Sequence, residues 1–369
     1  MSNMNSKASK HVYVGMSGGV DSSVAAALLV KQGWQVTGVH LRLWDQASKD
    51  NHNVTLVDQS LEHASQVAAL LNIPFQVIDA TTEFRRAVVD YFINAHKKGE
   101  TPNPCFVCNR LIKWGLFLDI AKRNGAEKLA SGHYARIAKR PDGLIELYRA
   151  KDLLKDQSYV LASLSQEQLA NVLFPLGDLT KSETREIARS YNFKIRTTEE
   201  SQDLCFLEGQ SQEEFLKRYA PDLFEKGAIL NVNGQVIGEH NGLVNYTIGQ
   251  RKGIKLSHPD PLYVLEKDVN KNIIIVGTRD SLGKQIIRVE NVNWILGREP
   301  QLPARFDVKI RYQSAFYQAT ISKACNSGYD ILFDDIVRDP TPGQYAVFYQ
   351  GDMVIGSGLI IRAIVGEQS

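Results

Sequence analysis

Nine consecutive residues, Gly15-Met-Ser-Gly-Gly-Val-Asp-Ser-Ser23, are suited to hold an anion. Ser17, Gly18 and Gly19 carry little bulk where a backbone must approach a charged group closely. Their N–H groups, together with the positive end of a following helix, would form a cradle for phosphate. Asp21 is placed either to cap that helix or to help hold a magnesium ion. A Gly-Gly pair in a strand-to-helix turn needs no ligand, but the full Ser-Gly-Gly-Val-Asp-Ser-Ser run in this context points to phosphate. The chain has no Gly-x4-Gly-Lys-Ser/Thr run, so this is not a Walker-type loop.

The cysteines form the second constellation. Cys105 and Cys108 lie in Thr101-Pro-Asn-Pro-Cys-Phe-Val-Cys-Asn109, and Cys205 lies in Glu200-Ser-Gln-Asp-Leu-Cys-Phe-Leu207. Cys108 is expected directly before a helix, whose N-terminus would favour the reactive thiolate. Cys108 and Cys205 are 97 positions apart, yet each follows a polar loop of the same expected domain. Two plainer readings stand beside this one. A Cys-x-x-Cys pair can be half of a zinc site, though no second pair or His-x3-His accompanies it. Buried, inert cysteines are also common, and Cys325, in a β-region without a partner motif, reads that way.

The elements that must position these residues follow from periodicity. Strands are expected at 11–16, 35–41, 75–79 and 128–131. Helices are expected at 23–33, at 58–72 (apolar Leu61, Ala64, Ala68, Leu71), around Phe84, Val88 and Phe92, and around Ile112, Leu116 and Ile120. Alternating strands and helices imply an α/β fold with a parallel sheet covered on both faces. Thr180 and Glu183 form a capping box for a helix to about Phe193. Segments 231–237 and 263–276 read as hairpins of a small mixed central domain. From about Gln285, six short strands separated by turns suggest a closed or nearly closed β-barrel. The resulting domains are 1–207, 208–284 and 285–369. Neither an internal repeat nor a low-complexity tract is present.

Composition sets the outer bounds. With 43% hydrophobic and 23% charged residues the chain is an ordinary globular protein. It has no apolar run of the ~20 residues that spanning a bilayer requires, and the polar start, 1–10, suggests no export. Four cysteines in 369 residues do not make a disulfide framework, so a reducing cytoplasm is the expected compartment. A net charge of only +2 gives no general attraction to nucleic acid, so any RNA must be met by local basic patches.

The Gly15–Ser23 loop resembles the PP-loop of the ATP pyrophosphatase superfamily, which implies cleavage between the α and β phosphates with AMP left on the substrate. Over nearly its whole length the chain resembles the tRNA-specific 2-thiouridylase family. The motifs are GMSGGVDSS, TPNPCFVCN (101–109), SGHYAR (131–136), KDQSYVL (155–161), SQDLCFL (201–207), NYTIGQRKG (245–253) and PGQYAVFYQGD (342–352), all in family order. The resemblance makes Cys108 the nucleophile and Cys205 the persulfide carrier. Gly15, Met16, Ser17, Gly18, Gly19, Val20, Asp21, Ser22 and Gly132 fall at ATP-binding positions, and Leu41 where an apolar side chain touches the nucleotide. Asn103 and Pro104 map to the target-base loop. His133, Lys155, Asp156, Gln157, Arg311, Tyr312 and Gln344 map to tRNA contacts, and Arg251-Lys252 becomes a candidate contact only through its motif. Two departures stand out: Cys105 replaces an aspartate common in the family, and 44–55 replaces an acidic stretch. Seven histidines, at 11, 40, 52, 63, 96, 240 and 258, belong to no motif and read as surface or satisfied core groups.

The chemistry implied by the resemblance is ATP-dependent 2-thiolation of a wobble uridine. AMP is placed on the C2 oxygen to make it a leaving group, and sulfur arrives from the Cys205 persulfide. ATP and Mg2+ are the implied cofactors. The implied partners are tRNA and a sulfur-relay donor protein, with no membrane involved and the chain acting as a monomer. An iron–sulfur cluster on Cys105, Cys108 and Cys205 is the less favoured alternative to the persulfide. A PP-loop synthetase acting on a small molecule would not need paired cysteines or a barrel. A non-catalytic RNA-binding protein would not need an intact loop.

Overall fold

The computed structural model describes residues 10–44, 56–193, 204–207, 209–324 and 328–364. Glu200–Asp203 of the Cys205 motif, residues 45–55 of the altered stretch, His52 and Cys325 lie outside the described residues.

The first half is a five-stranded parallel sheet with Phe75–Asp79 at one edge. Next come Gln35–Arg42, His11–Gly15 and Lys128–Ala130, and the two-residue strand Val172–Leu173 closes the other edge. His11–Gly15 is central, and connections leave it toward both sides. The carboxyl ends of His11–Gly15 and Lys128–Ala130 therefore flank the point where strand order reverses, the usual crevice for a ligand in such sheets. The helix Val20–Lys31 covers the sheet with Ala25, Ala26 and Ala27 fully buried, small side chains that allow close approach. It ends where Gly33 takes φ +81°, a left-handed cap that costs a glycine little.

Two long helices complete this part, at 81–97 and 104–123. Each contains a π-helical stretch, Arg85–Val89 and Asn109–Leu116. Thr180 and Glu183 do form the expected capping box, and their helix is Lys181–Ser190.

The central sheet has four strands, in the order Tyr263–Asp268, Ile273–Gly277, Lys226–Leu230 and Val236–Asn241. It buries Ile229, Val264, Ile274 and Val276. The barrel strands are Gly283–Trp294, Ala304–Lys309, Tyr317–Lys323, Tyr329–Arg338, Tyr345–Gln350 and Met353–Ile364. Pairing of the first with the last closes a six-stranded barrel. One feature was absent from the sequence reading. A hairpin of the first half, Arg136–Lys139 with Ile145–Tyr148, extends the barrel sheet through Met353 and Val354.

His96 sits at the end of the 81–97 helix, buried against Phe92 with its Nδ1 lacking a partner. Burial, aided by the Lys267 ammonium, pushes its imidazole down to about 3. The folded pKa is depressed, so the folded chain refuses a proton that the unfolded chain binds below about 6.5. Stability is therefore full above that pH and falls as pH drops toward 3, by up to about 1.4 kcal/mol per pH unit for this group. Burial shifts His40 and His133 in the same direction. The urea midpoint is expected to be lower at pH 5 than at pH 7.5, with a shallower pH slope in His96→Phe. An unchanged slope in that variant would contradict this account of His96.

Candidate active site

The nucleotide loop follows the central strand. Ser22 Oγ accepts from the Ser17 N–H (3.2 Å) and donates to the Gly19 carbonyl (3.1 Å), and Ser23 Oγ donates to the same carbonyl (2.9 Å). His40 Nδ1 lies 3.0 Å from the Met16 carbonyl and steadies the loop from behind. Gly18 has φ +75°, and a Cβ there would overlap the Ser60 carbonyl. Among the described residues nothing accepts from the N–H groups of Gly18, Gly19 or Val20. These amides, at the start of a 12-residue helix, fit the phosphates of a nucleotide. Gly132, at the end of the adjacent strand, allows the two chains to meet: a Cβ there would lie 2.6 Å from both Asp21 C and Ser22 N. Leu41 is half-buried near the end of the other neighbouring strand.

The expectation that Asp21 caps the helix is corrected. Gly19 is the N-cap residue, and no side chain caps it. The Asp21 carboxylate instead takes both its oxygens to Lys181 Nζ (2.7 and 2.8 Å) and accepts from Tyr134 Oη (2.8 Å). Tyr134 also bonds Thr184 (3.0 Å). Lys181 had no signal in the sequence, because it stands 160 positions from Asp21. A magnesium ion at Asp21 would be held by a carboxylate now paired with Lys181.

The thiol side is built on the 104–123 helix. Asn103 Oδ1 accepts from the Phe106 N–H (3.1 Å) and Pro104 occupies the first turn, so the helix starts there. Cys108 thus lies inside the helix rather than before it, which overturns the expectation of a thiolate stabilised at the helix N-terminus. It is 5% exposed, in a core with Ile112, Phe206 and Leu207. Burial pushes its thiol up to about 12, with Cys205 and Cys105 adding to the effect. Cys205 is exposed at the surface yet flanked by protein, and burial raises its thiol to about 11. Cys105 is exposed and its thiol is raised as well. All three are free thiols, and the charge that opposes these shifts in each is the Lys113 ammonium. Lys113 went unnoticed in the sequence. It stands five positions after Cys108, within the π-helical stretch. The Gln168 amide donates to the Arg110 and Trp114 carbonyls (both 2.9 Å) beside that stretch.

Phe206 fixes the Cys205 loop. It is 1% exposed and ringed by Trp44, Phe84, Phe92 and Phe215 at centroid distances of 5.1–6.4 Å. The packing that surrounds Phe206 also contains Cys108, so the two motifs share one core. Farther along the thiol helix, Phe117 reaches Gly15, where a Cβ would be 3.3 Å from its ring. The start of the nucleotide loop thus packs against the same helix that carries Cys108.

The expected RNA contacts divide into three groups. Lys155 is half-buried and Arg251 and Lys252 are exposed. Asp156 and Gln157 bond inward: Asp156 accepts from Ala150 and Ser158, and Gln157 from the Tyr134 N–H. His133 is buried against Trp114 and Phe174, 9% exposed, with Nδ1 2.6 Å from Ser131 Oγ. Arg311 joins domains. Its guanidinium donates to the Ile248 (3.2 Å) and Asp339 (2.8 Å) carbonyls and to Thr341 Oγ1, and pairs with the Asp339 carboxylate (3.0 Å). Tyr312 Oη donates to the Asp156 carbonyl (3.0 Å), and Gln344 Nε2 to the Thr101 carbonyl (2.8 Å). Among the described residues no three His, Cys, Asp or Glu side chains are arranged to hold a metal ion, and no helix is long and apolar enough to cross a membrane.

Comparison with known proteins gives a consistent picture. Residues 10–209 match the family model described as tRNA methyl transferase HUP domain, 213–278 the tRNA methyl transferase PRC-barrel domain, and 284–360 the Aminomethyltransferase beta-barrel domain. The tRNA-specific 2-thiouridylase MnmA of Magnetococcus marinus is 42% identical over 355 residues, 95% of this chain and 99% of that protein. The protein of the same name from Symbiobacterium thermophilum is 42% identical over 362 residues, 96% of this chain and 93% of that one. A solved 4-thiouridine synthetase–RNA complex with bound ATP aligns at a TM-score of 0.34 and 15% identity, over 58% of this chain and 51% of that one, too slight a likeness to bear on the site.

Proposed function

The chain belongs to the tRNA-specific 2-thiouridylase family, PP-loop enzymes that thiolate tRNA, and on that premise we propose how its residues carry out the reaction. One observation carries the proposal: the helix of Cys108 and the loop of Cys205 pack into one core beside a phosphate-type loop. Two thiols and a nucleotide cradle are what sulfur transfer requires. The family models are worded as methyl transferases, whereas the near-full-length relatives are named thiouridylases, and the paired thiols favour sulfur.

The uridine C2 oxygen attacks the α-phosphate of ATP, the bond to the β-phosphate breaks, and pyrophosphate leaves. The amides of Gly18, Gly19 and Val20 take the developing negative charge, with Lys181 in reach once Asp21 releases it. Magnesium, when bound at Asp21, would supply further neutralisation of phosphate charge. Sulfur then reaches the activated C2 from a persulfide on Cys205, either as its terminal sulfur or as sulfide freed when Cys108 attacks, and AMP departs. In both routes Cys108 bonds the Cys205 sulfur as the persulfide S–S bond breaks, leaving a Cys108–Cys205 disulfide that an external thiol reduces back to the free thiols of the resting fold. In the resting fold burial favours the protonated form of both thiols.

The test is product analysis with labelled ATP and tRNA. AMP and pyrophosphate, equal in amount to thiolated nucleoside, are the expected products. ADP as the main product would end this reading.

A further inference from the structure

The barrel segment 341–345 grips the target-base loop and the thiol helix at several points. The Thr101 N–H donates to the Pro342 carbonyl (2.9 Å), and Gln344 Nε2 donates to the carbonyls of Thr101 (2.8 Å) and Pro102 (3.4 Å). Gly343 has φ +93°, and a Cβ there would lie 2.9 Å from Thr101 O and 3.0 Å from Glu100 Cβ, so only glycine allows the approach. Next, the Tyr345 ring stacks on Phe106 with centroids 3.7 Å apart and planes at 12°, and Tyr159 Oη holds the Tyr345 carbonyl (2.7 Å). Phe106 is the residue between Cys105 and Val107, two positions before Cys108.

The far end of the segment is tied down as well. Thr341 receives the Arg311 guanidinium, which also reaches Ile248 of the NYTIGQRKG loop. A continuous chain of contacts therefore runs from the central domain through Arg311 and Thr341 to Gln344 and Tyr345. From there it continues to Thr101–Asn103 and, through the Asn103 cap, to the helix of Cys105 and Cys108. The loop itself is poor in donors, since Pro102 and Pro104 have no N–H; its carbonyls depend on Gln344.

From this geometry we infer that Gln344 and Tyr345 are positioning residues. They set the base loop and the first turn of the Cys108 helix from the barrel, so that sulfur transfer depends on how the barrel is seated. The amide of Gln344 faces the protein loop, and its effect on RNA acts through that loop. The inference rests on the thiolation reading.

Full-length Gln344→Glu and Tyr345→Leu are compared with wild type and Tyr345→Phe, using tRNA, ATP, Mg2+ and a persulfide donor. Both variants are expected to lose about tenfold to a hundredfold in kcat. The KM of Tyr345→Leu for tRNA should stay within about twofold, since that ring is stacked on Phe106. Persulfide loading of Cys205 should match wild type, the thermal midpoint of Tyr345→Leu should fall by only a few degrees for the lost ring stack, and Tyr345→Phe, which keeps the ring, should restore kcat. Native labelling of Cys108 by iodoacetamide should speed up in Tyr345→Leu. An unchanged kcat, a raised KM with kcat intact, or parallel loss of persulfide loading and thermal midpoint would each overturn the inference. If wild type itself makes no thiolated uridine, the thiolation reading fails, and the labelling decides the positioning role alone: unchanged Cys108 labelling overturns it.

Discussion

Serine in place of Cys205 is expected to cut tRNA thiolation by more than about a thousandfold, the scale of losing a covalent nucleophile. No persulfide should remain detectable on the chain. The substitution is well suited to the question because Cys205 is exposed and its loop is held by Phe206, which serine at 205 leaves in place. The unfolding midpoint should therefore barely move. Cys108→Ser is expected to be as inactive but less stable, since it puts a hydroxyl into an apolar core with Ile112 and Phe206. Steady-state thiolation and peptide mass spectrometry check both points. Full thiolation by Cys205→Ser would refute the sulfur relay.

Asp21→Asn is expected to slow AMP formation by more than about a hundredfold, the scale of losing one preorganised electrostatic partner. The carboxylate is the joint partner of Lys181 and Tyr134, and Lys181 is only 12% exposed. An amide of the same size leaves the helix start intact but weakens the hold on Lys181 and removes the charge a magnesium ion would need. Thr180 and Glu183 still cap the Lys181 helix, so the fold should persist. Rates with labelled ATP at saturating Mg2+ check this. A rate within about threefold of wild type would mean that neither Asp21 nor the Lys181 pair takes part in phosphate chemistry.

The parallel sheet was legible because its strands and helices are periodic and local. Gly33 ends the first helix and Thr180 starts another by short-range signals that need no partner. The six barrel strands were legible for the same reason, and closure by pairing Ile286 with Ile364 agrees with the expected barrel. What sequence could not give is long-range. Lys181 meets Asp21, and the Arg136–Tyr148 hairpin meets Met353, only after folding. Cys108 was misplaced by one turn of helix, because Asn103 and Pro104 together make an earlier start than the Cys-Asn pair suggested. His133 and Arg311 were expected at an RNA surface on motif alone. A motif records which residue stands at a position but not its partners inside the protein, and here His133 packs on Trp114 and Phe174 while the part-exposed Arg311 also ties the central domain to the barrel.

Exchange of a uridine oxygen of tRNA for sulfur, at the expense of ATP, is the reaction proposed for this chain. The most direct measurement is nucleoside mass spectrometry of tRNA incubated with the purified protein, Mg2+, ATP and a persulfide donor. The account predicts a uridine heavier by the difference between sulfur and oxygen, formed in step with AMP and absent when ATP is omitted or Cys205 is serine. A methylated uridine, or unmodified tRNA with a fully persulfidated enzyme and ATP present, would contradict it.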